Sequence, residues 1–195
     1  MKLIPRHVPF LTLTLLVLLS IIHFIPGTFE LFYFNDDYVD QGEWWRVFTS
    51  QLVHLDLTHL GYNIGTLFIL GWLLEERHRW QVVPVLLSGA ALVAAYLPLS
   101  TLWRYCGLSG AISALILPVI WFLWKEQRSV FPWVIGALYL GRLLWELATG
   151  TPLVTDLEWP SHPPAHLAGL TAGLIWLAVL RCLKFVGRTP SPVNE

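Results

Sequence analysis

The chain has 195 residues, of which 55% are hydrophobic and only 13% are charged, and its mean hydropathy is +0.60. This composition excludes an ordinary soluble domain and places the chain in a lipid bilayer. The formal net charge of -1 comes without any basic face, which excludes nucleic acid as a partner.

Six apolar runs, separated by short polar joints, approach the roughly 20 residues that a helix needs to cross a membrane. They lie near residues 8–25, 58–74, 80–97, 108–124, 131–148 and 165–186. The first run could instead be a signal peptide, but its length and the Pro26-Gly27-Thr28 sequence after it favour a retained helix. We therefore predict an all-α, polytopic domain of six transmembrane helices over residues 1–187, and a short disordered cytoplasmic tail at 188–195.

Loop charges orient this bundle, because Lys and Arg accumulate in cytoplasmic loops. With both termini in the cytoplasm, only Arg46 and Arg104 lie in outer loops, and Arg142 lies within a span. The aromatic segment 29–45 is then an outer loop, half immersed among the lipid headgroups. The inner basic residues are Lys2, Arg6, Arg77, Arg79, Lys125, Arg128, Arg181, Lys184 and Arg188, and the outer acidic residues are Asp36, Asp37, Asp40, Glu43, Asp56, Asp156 and Glu158.

Polar residues stand at the start of every even-numbered span, and each of these spans runs from outside to inside. The polar residues at these starts therefore share one depth just below the outer surface, although they are far apart in the sequence. Polar groups in a span are costly and usually mark function. The residues are His54, His59 and Asn63 at the second span, Ser109 at the fourth, and His162 and His166 at the sixth.

Two pairs of small residues predict that the fourth and sixth spans pack closely. Gly110 and Ala114 form one pair at four-residue spacing, and Gly169 and Gly173 form another near the face of His166. Small residues at this spacing let two helix backbones approach. We therefore expect the polar residues at the starts of these two spans to meet.

Ser109 and His166 are the candidate nucleophile and base, because close packing of their spans brings them within hydrogen-bond reach. A serine hydroxyl is a poor nucleophile until an adjacent base removes its proton. The sequence offers no convincing acidic third member, so we predict a Ser-His dyad.

Donors for the oxyanion of a tetrahedral intermediate are expected around Ser109. The turn Gly107-Leu108-Ser109-Gly110 presents backbone N–H groups at a helix N-terminus, where negative charge is favoured. His59 and Asn63 are spaced i and i+4, so they lie on one helical face and their side chains can add donors.

The motifs together resemble the rhomboid intramembrane proteases over nearly the whole chain. The resemblance implies the six-helix rhomboid fold, transmembrane protein substrates and no cofactor. It also implies Ser109 as nucleophile, His166 as general base, and Gly107, His59 and Asn63 around the oxyanion site. The matching motifs are Trp45-Arg46 with Thr49, His54 with His59 and Asn63, Gly71 with Glu75, Gly107-Leu108-Ser109-Gly110, and Ala165-His166-Leu167-Ala168-Gly169-Leu170 with Gly173.

Within that family, the stretches Gly42-Glu43-Trp44-Trp45-Arg46 and Leu52-Val53-His54-Leu55 look like the rhombosortase branch. The branch implies a bacterial inner-membrane enzyme, with its active site on the periplasmic side, that processes proteins bearing a C-terminal Gly-Gly sorting tail. Four residues after the serine, many rhomboids carry tyrosine and rhombosortases usually carry histidine, whereas this chain has Ser113. Four further residues are expected to surround the site residues and hold them in place: His54, Ser113, Gly110 and Gly169.

Other interpretations of these residues are weaker. Four histidines (His54, His59, His162 and His166) could bind zinc, but no carboxylate or cysteine completes a set at helical spacing, so no metal is predicted. Cys106 is expected to be a packing residue, because nothing in the sequence places a base beside it. Arg142 and Glu146, spaced i and i+4, are expected to pair, with a role in substrate gating left open.

Two functions without proteolysis also remain. One is an inactive rhomboid-like protein that binds and escorts membrane proteins, although such proteins typically lack the serine or the histidine. The other is a small transporter, which would place its charged or unwound sites near mid-membrane rather than at the outer edge. The oligomeric state is left open.

Overall fold

The computed structural model describes residues 8–151, 159 and 162–186, with side chains to residue 183. Helices dominate this part of the chain, with one two-residue strand pair and three 3-10 turns. The tail predicted at 188–195 lies outside the described residues, as do Lys2, Arg6, Asp156, Glu158 and Arg188. The elements are α1 (Phe10–Phe24), α2 (Thr28–Phe32), β1 (Phe34–Asn35), α3 (Asp36–Asp40), α4 (Arg46–Thr49), a 3-10 turn (Ser50–Leu52), α5 (Leu57–His78), a 3-10 turn (Arg79–Gln81), α6 (Val82–Tyr96), a 3-10 turn (Leu97–Leu99), β2 (Arg104–Tyr105), α7 (Ser109–Ser113), α8 (Ile116–Gln127), α9 (Phe131–Thr149) and α10 (Pro163–Val186).

Every apolar run predicted from the sequence overlaps a long helix, and the chain is an all-α integral membrane protein. By length and composition, three described stretches suffice to cross a bilayer: Leu57–Leu99 with 43 residues, Ser109–Gln127 with 19 and Pro163–Leu183 with 21. The first of these contains both α5 and α6, joined by the turn at Arg79–Gln81. Helix α1 is apolar but shorter, with 15 residues.

The fourth run was predicted as one helix, and the structure divides it into α7 and α8. The N–H groups of Ala114 and Leu115 bond to carbonyls three residues back, which tightens the chain between the two helices. Pro118 explains the break, since it has no N–H to donate to the Ala114 carbonyl and its ring crowds that group. The nucleophile candidate Ser109 therefore lies in a helix of five residues.

Glycines set the distance between α10 and α7, as predicted from their spacing. A Cβ on Gly169 would overlap the carbonyl oxygen of Gly110, and a Cβ on Gly173 would overlap the carbonyl oxygen of Ala114. Helix α6 also approaches α7 closely, since a Cβ on Gly89 of α6 would lie 2.7 Å from the Ala111 carbonyl oxygen. Helix α7 is therefore held between α6 and α10 at backbone contact.

A buried carboxylate fixes α1 against α5. Glu75, only 4% exposed, accepts from the N–H groups of Leu11 and Thr12 at 2.9 and 2.8 Å and from the Thr12 hydroxyl at 2.7 Å. These N–H groups have no partner within their own helix, and the positive end of the helix dipole favours the negative charge. Gly71 allows the approach, because a Cβ there would lie 2.8 Å from Thr12.

The segment predicted as a half-immersed loop contains short helices that are anchored by Arg46. Its guanidinium, in a residue that is 5% exposed, pairs with Glu43 at 2.6 Å and donates to the carbonyls of Glu30 and Tyr33 at 2.8 and 3.0 Å. Strand β1 then pairs antiparallel with β2, which leads into the turn before Ser109. The outer segment is thus fastened directly to the chain that carries the candidate nucleophile.

Candidate active site

The structure brings Ser109 and His166 together. Ser109 is the first residue of α7, and His166 lies in the first turn of α10. The His166 Nε2 atom is 2.9 Å from the Ser109 Oγ atom, within the hydrogen-bond reach expected from the sequence. His166 is 8% exposed, whereas Ser109 is half-buried and lines a cavity.

The other imidazole nitrogen of His166 is buried, and it has no hydrogen-bond partner among the described residues. For Nε2 to accept the serine proton, Nδ1 must carry the ring hydrogen. No carboxylate of the described chain lies within hydrogen-bond distance of that nitrogen.

The turn before Ser109 depends on Gly107, whose φ of 99° is a conformation that favours glycine. A side chain there would also collide with the imidazole of His59. The N–H of Gly107 donates to the Ser50 carbonyl at 3.0 Å and is therefore not available to an oxyanion, contrary to the prediction for the whole turn. The next N–H groups, those of Leu108, Ser109 and Gly110, have no backbone acceptor among the described residues.

His59 and Asn63 lie side by side on α5, across from this turn. Asp56 caps the helix by accepting from the His59 N–H at 2.7 Å, and the Asn63 amide donates to the His59 carbonyl at 2.9 Å. Both side chains line the same cavity as Ser109. Their position is compatible with the predicted role near an oxyanion.

His54 does not line this cavity but packs behind His59, edge to face, with 5.1 Å between ring centroids. It is 1% exposed. Burial, followed by the neighbouring His59, lowers the pKa of His54 to about 3. His54 is thus a neutral packing group at neutral pH.

Cys106 has a base beside it after all, since its Sγ atom is 3.8 Å from His59 Nδ1. Burial nevertheless raises the pKa of the thiol to about 12, so the sulfur stays protonated. Cys106 is therefore a packing residue because its thiol is protonated, and not because a base is absent.

A partly open cavity of about 370 Å³ joins these groups. Its walls come from α5, α7, the start of α8, α9, the start of α10, Trp159 and the chain between Leu102 and Cys106. Helix α5 packs on α1, α7 and α8, and α9 packs on α8 and α10. The lining residues are His59, Tyr62, Asn63, Thr66, Leu102, Arg104, Tyr105, Cys106, Ser109, Ile112, Ser113, Ile116, Tyr139, Arg142, Trp159, His162 and His166.

His162 lies one turn before His166, on the chain that enters α10. Its Nε2 atom is 2.8 Å from the Tyr96 hydroxyl, and the two rings stack with 5.6 Å between centroids. This contact fastens the start of α10 to α6. Within the described part of the chain, no three His, Cys, Asp or Glu side chains are grouped so that they could hold a metal ion.

Helix α9 adds Tyr139, which belongs to none of the sequence motifs. Tyr139 and Arg142 line the cavity, and the expected pairing of Arg142 with Glu146 is confirmed at 2.8 Å. The Tyr139 hydroxyl is 2.7 Å from the Ser113 hydroxyl, which donates to the Ser109 carbonyl at 2.9 Å. Tyr139, Arg142 and Glu146 are spaced i, i+3 and i+7, so they share one face of an apolar helix. This spacing was the sequence signal that could have identified Tyr139.

Residues 41–182 match the rhomboid domain. The match covers well over half of the chain, from the outer segment through α10, and includes Ser109, His166, His59 and Asn63. The chain therefore belongs to the rhomboid family of intramembrane serine proteases.

Proposed function

We propose that this protein is an intramembrane serine endopeptidase in which Ser109 is the nucleophile and His166 the general base. The observation that carries the proposal is the 2.9 Å contact between His166 Nε2 and Ser109 Oγ at the wall of a cavity. A nucleophile and its base within hydrogen-bond reach are the minimum that acyl transfer needs.

The chemistry follows from this geometry. His166 removes the hydroxyl proton as Ser109 Oγ attacks the scissile carbonyl, and it later returns the proton to the leaving amine. Water then attacks the acyl-enzyme and gives a proton to His166, which passes it to Ser109 Oγ as the acyl–oxygen bond breaks and the free enzyme is restored. The oxyanion formed in each step is stabilised by the backbone N–H groups of Leu108 and Ser109 and by the side chains of His59 and Asn63.

Substrates are transmembrane proteins that reach the cavity sideways from the lipid, between α5 and α9. The proposal is supported by the cavity walls that these two helices supply. A substrate helix in lipid has all its backbone hydrogen bonds satisfied, so it must unwind before a carbonyl reaches Ser109. Glycine or other helix-weak residues at the cleavage site ease that step.

The finer assignments rest on the sequence motifs. Both termini are cytoplasmic, six helices cross the membrane, and the site lies on the periplasmic side of a bacterial inner membrane. The rhombosortase resemblance makes C-terminal Gly-Gly sorting tails the substrate class to test first.

The test is cleavage of a reconstituted reporter with one transmembrane helix and a Gly-Gly pair at its outer end. The native protein should release a fragment, and Ser109→Ala and His166→Ala should not. Ser88→Ala is the matched control, since the Ser88 hydroxyl bonds to the Val85 carbonyl on α6, outside the cavity. A Leu-Leu pair in place of Gly-Gly should slow release, and equal rates for the two reporters would defeat the unwinding argument.

A protein that escorts membrane proteins without cutting them is the other candidate. It would bind the reporter and leave it intact. The contact between Ser109 and His166 favours the protease, because an escort has no need of an activated serine.

A further inference from the structure

A chain of two hydrogen bonds runs from α9 to the backbone of the nucleophile, and its direction can be assigned. The carbonyl of Ser109 can only accept, so the Ser113 hydroxyl donates its single proton there, over 2.9 Å. The second contact, 2.7 Å between the Ser113 and Tyr139 hydroxyls, therefore has Tyr139 as its donor. The order is Tyr139 to Ser113 to the carbonyl of Ser109.

Ser109 needs such an anchor because α7 is short. The helix has five residues, and the tightened turn at Ala114 and Leu115 separates it from the longer α8. On one side, the glycines of α10 hold α7 by backbone contact. On the side of α9, the hydrogen bond from Tyr139 to Ser113 connects it to the neighbouring helix.

The position of Ser113 makes this connection important for alignment. Ser113 is 2% exposed, one turn after Ser109, and its hydroxyl has both a donor and an acceptor partner. If the Tyr139 hydroxyl is removed, the buried Ser113 hydroxyl no longer accepts a hydrogen bond. It is then free to rotate away from the Ser109 carbonyl. Hydrogen bonds in such a chain also polarise one another, so each strengthens the next.

We propose that Tyr139 is a positioning residue, which through Ser113 keeps Ser109 aligned with His166. The inference rests on the proposed protease function, because alignment matters only if the serine reacts. It also explains how this chain works with a serine four residues after Ser109, where the resemblance led us to expect a larger side chain. Tyr139, from a neighbouring helix, contacts the Ser113 hydroxyl at that position.

The alignment role predicts a distinctive kinetic pattern. Tyr139→Phe and Ser113→Ala should each lower kcat about fivefold to tenfold, the range that the net free energy of one hydrogen bond allows. Although both residues line the cavity, KM should change little, because the two hydroxyls bond to each other and to the Ser109 carbonyl. Since both residues act in one chain, the double variant should be no slower than the slower single variant.

The experiment measures kcat, KM and the rate of fluorophosphonate labelling for the native protein and these three variants, with thermal unfolding as a check on folding. Tyr38→Phe is the matched control, because it removes a tyrosine hydroxyl from the outer segment, outside the cavity. A native protein that labels while Tyr139→Phe labels equally fast would overturn the alignment role alone. A rise confined to KM would make Tyr139 a substrate contact and would also overturn the alignment role. Additive losses of kcat in the double variant would show that Tyr139 and Ser113 act independently, which contradicts the proposal. A folded native protein that neither labels nor cleaves would instead overturn the proposed function and, with it, this inference.

Discussion

Replacement of Gly169 by alanine tests whether backbone contact between α10 and α7 sets the dyad geometry. The added Cβ would overlap the Gly110 carbonyl oxygen and lie 3.0 Å from both the Gly110 carbonyl carbon and Ser113 Cβ. Carbon atoms prefer separations of about 3.5–4.0 Å, and the overlap with the oxygen is more severe, so the helices must move apart by roughly 1 Å or more. Gly110 follows Ser109 directly and Gly169 is one turn after His166, so this movement opens the 2.9 Å contact.

The expected loss is large because catalysis depends on distance. A misplacement near 1 Å can cost about 10²-fold in rate, so we expect kcat for reporter cleavage to fall about 10-fold to 100-fold. The overpacked interface should also lower stability by about 1–3 kcal/mol. Cleavage and labelling rates are measured beside thermal unfolding, so that misfolded protein is not counted as inactive.

Gly141→Ala is the control for this experiment. Gly141 lies on α9, and a Cβ there would meet nothing within 4 Å. Alanine should therefore leave the rates unchanged and stabilise the helix by about 0.5–1 kcal/mol. The reasoning would be refuted if Gly169→Ala labelled as fast as the native protein, or if the two alanine variants slowed by the same factor.

His59→Ala and Asn63→Ala should each lower kcat for reporter cleavage, by up to about 10²-fold for the loss of one oxyanion donor, and an unchanged kcat would remove that residue from the site. His54 binds a proton more readily unfolded than folded, so its contribution to stability is lost as pH falls from about 6.5 towards about 3. His54→Gln should therefore flatten the decline in Tm measured between pH 7 and 4.5, and parallel curves would contradict the assignment. Glu75→Ala should lower stability by about 1–3 kcal/mol, seen as a lower Tm in detergent, because the first turn of α1 loses its acceptor; a Tm equal to that of the native protein would show that this cap contributes nothing.

The contact between Ser109 and His166 was predictable because its determinants are local in sequence. Apolar runs predict helices, the order of the spans predicts one depth for both residues, and the glycines at 169 and 173 identify the face of α10 that meets α7. The prediction required only that the two packed spans be identified, and the small residues identify them.

The contacts of Glu75 and Tyr139 were harder to predict because they depend on how helices are rotated and offset. Glu75 was noticed as part of a motif, but its partners Leu11 and Thr12 are 64 and 63 residues away. Tyr139 reaches Ser113 only for one rotation of α9 about its axis. An apolar helix surrounded by lipid shows a weak difference between its faces, so hydropathy does not fix that rotation.

The outer segment shows a different limit. Its aromatic content was interpreted as a loop at the headgroups, whereas the structure contains short helices built around the buried Arg46. One guanidinium satisfies the carbonyls of Glu30 and Tyr33 as well as the Glu43 carboxylate. Such a network is assembled from residues with no periodic pattern, so sequence periodicity could not reveal it.

The central claim, an activated serine at position 109, is tested most directly by a fluorophosphonate probe on the protein purified in detergent. The account predicts one covalent adduct, mapped by mass spectrometry to Ser109, that is lost in both Ser109→Ala and His166→Ala. A folded native protein without an adduct, or one whose adduct persists in Ser109→Ala, would contradict it.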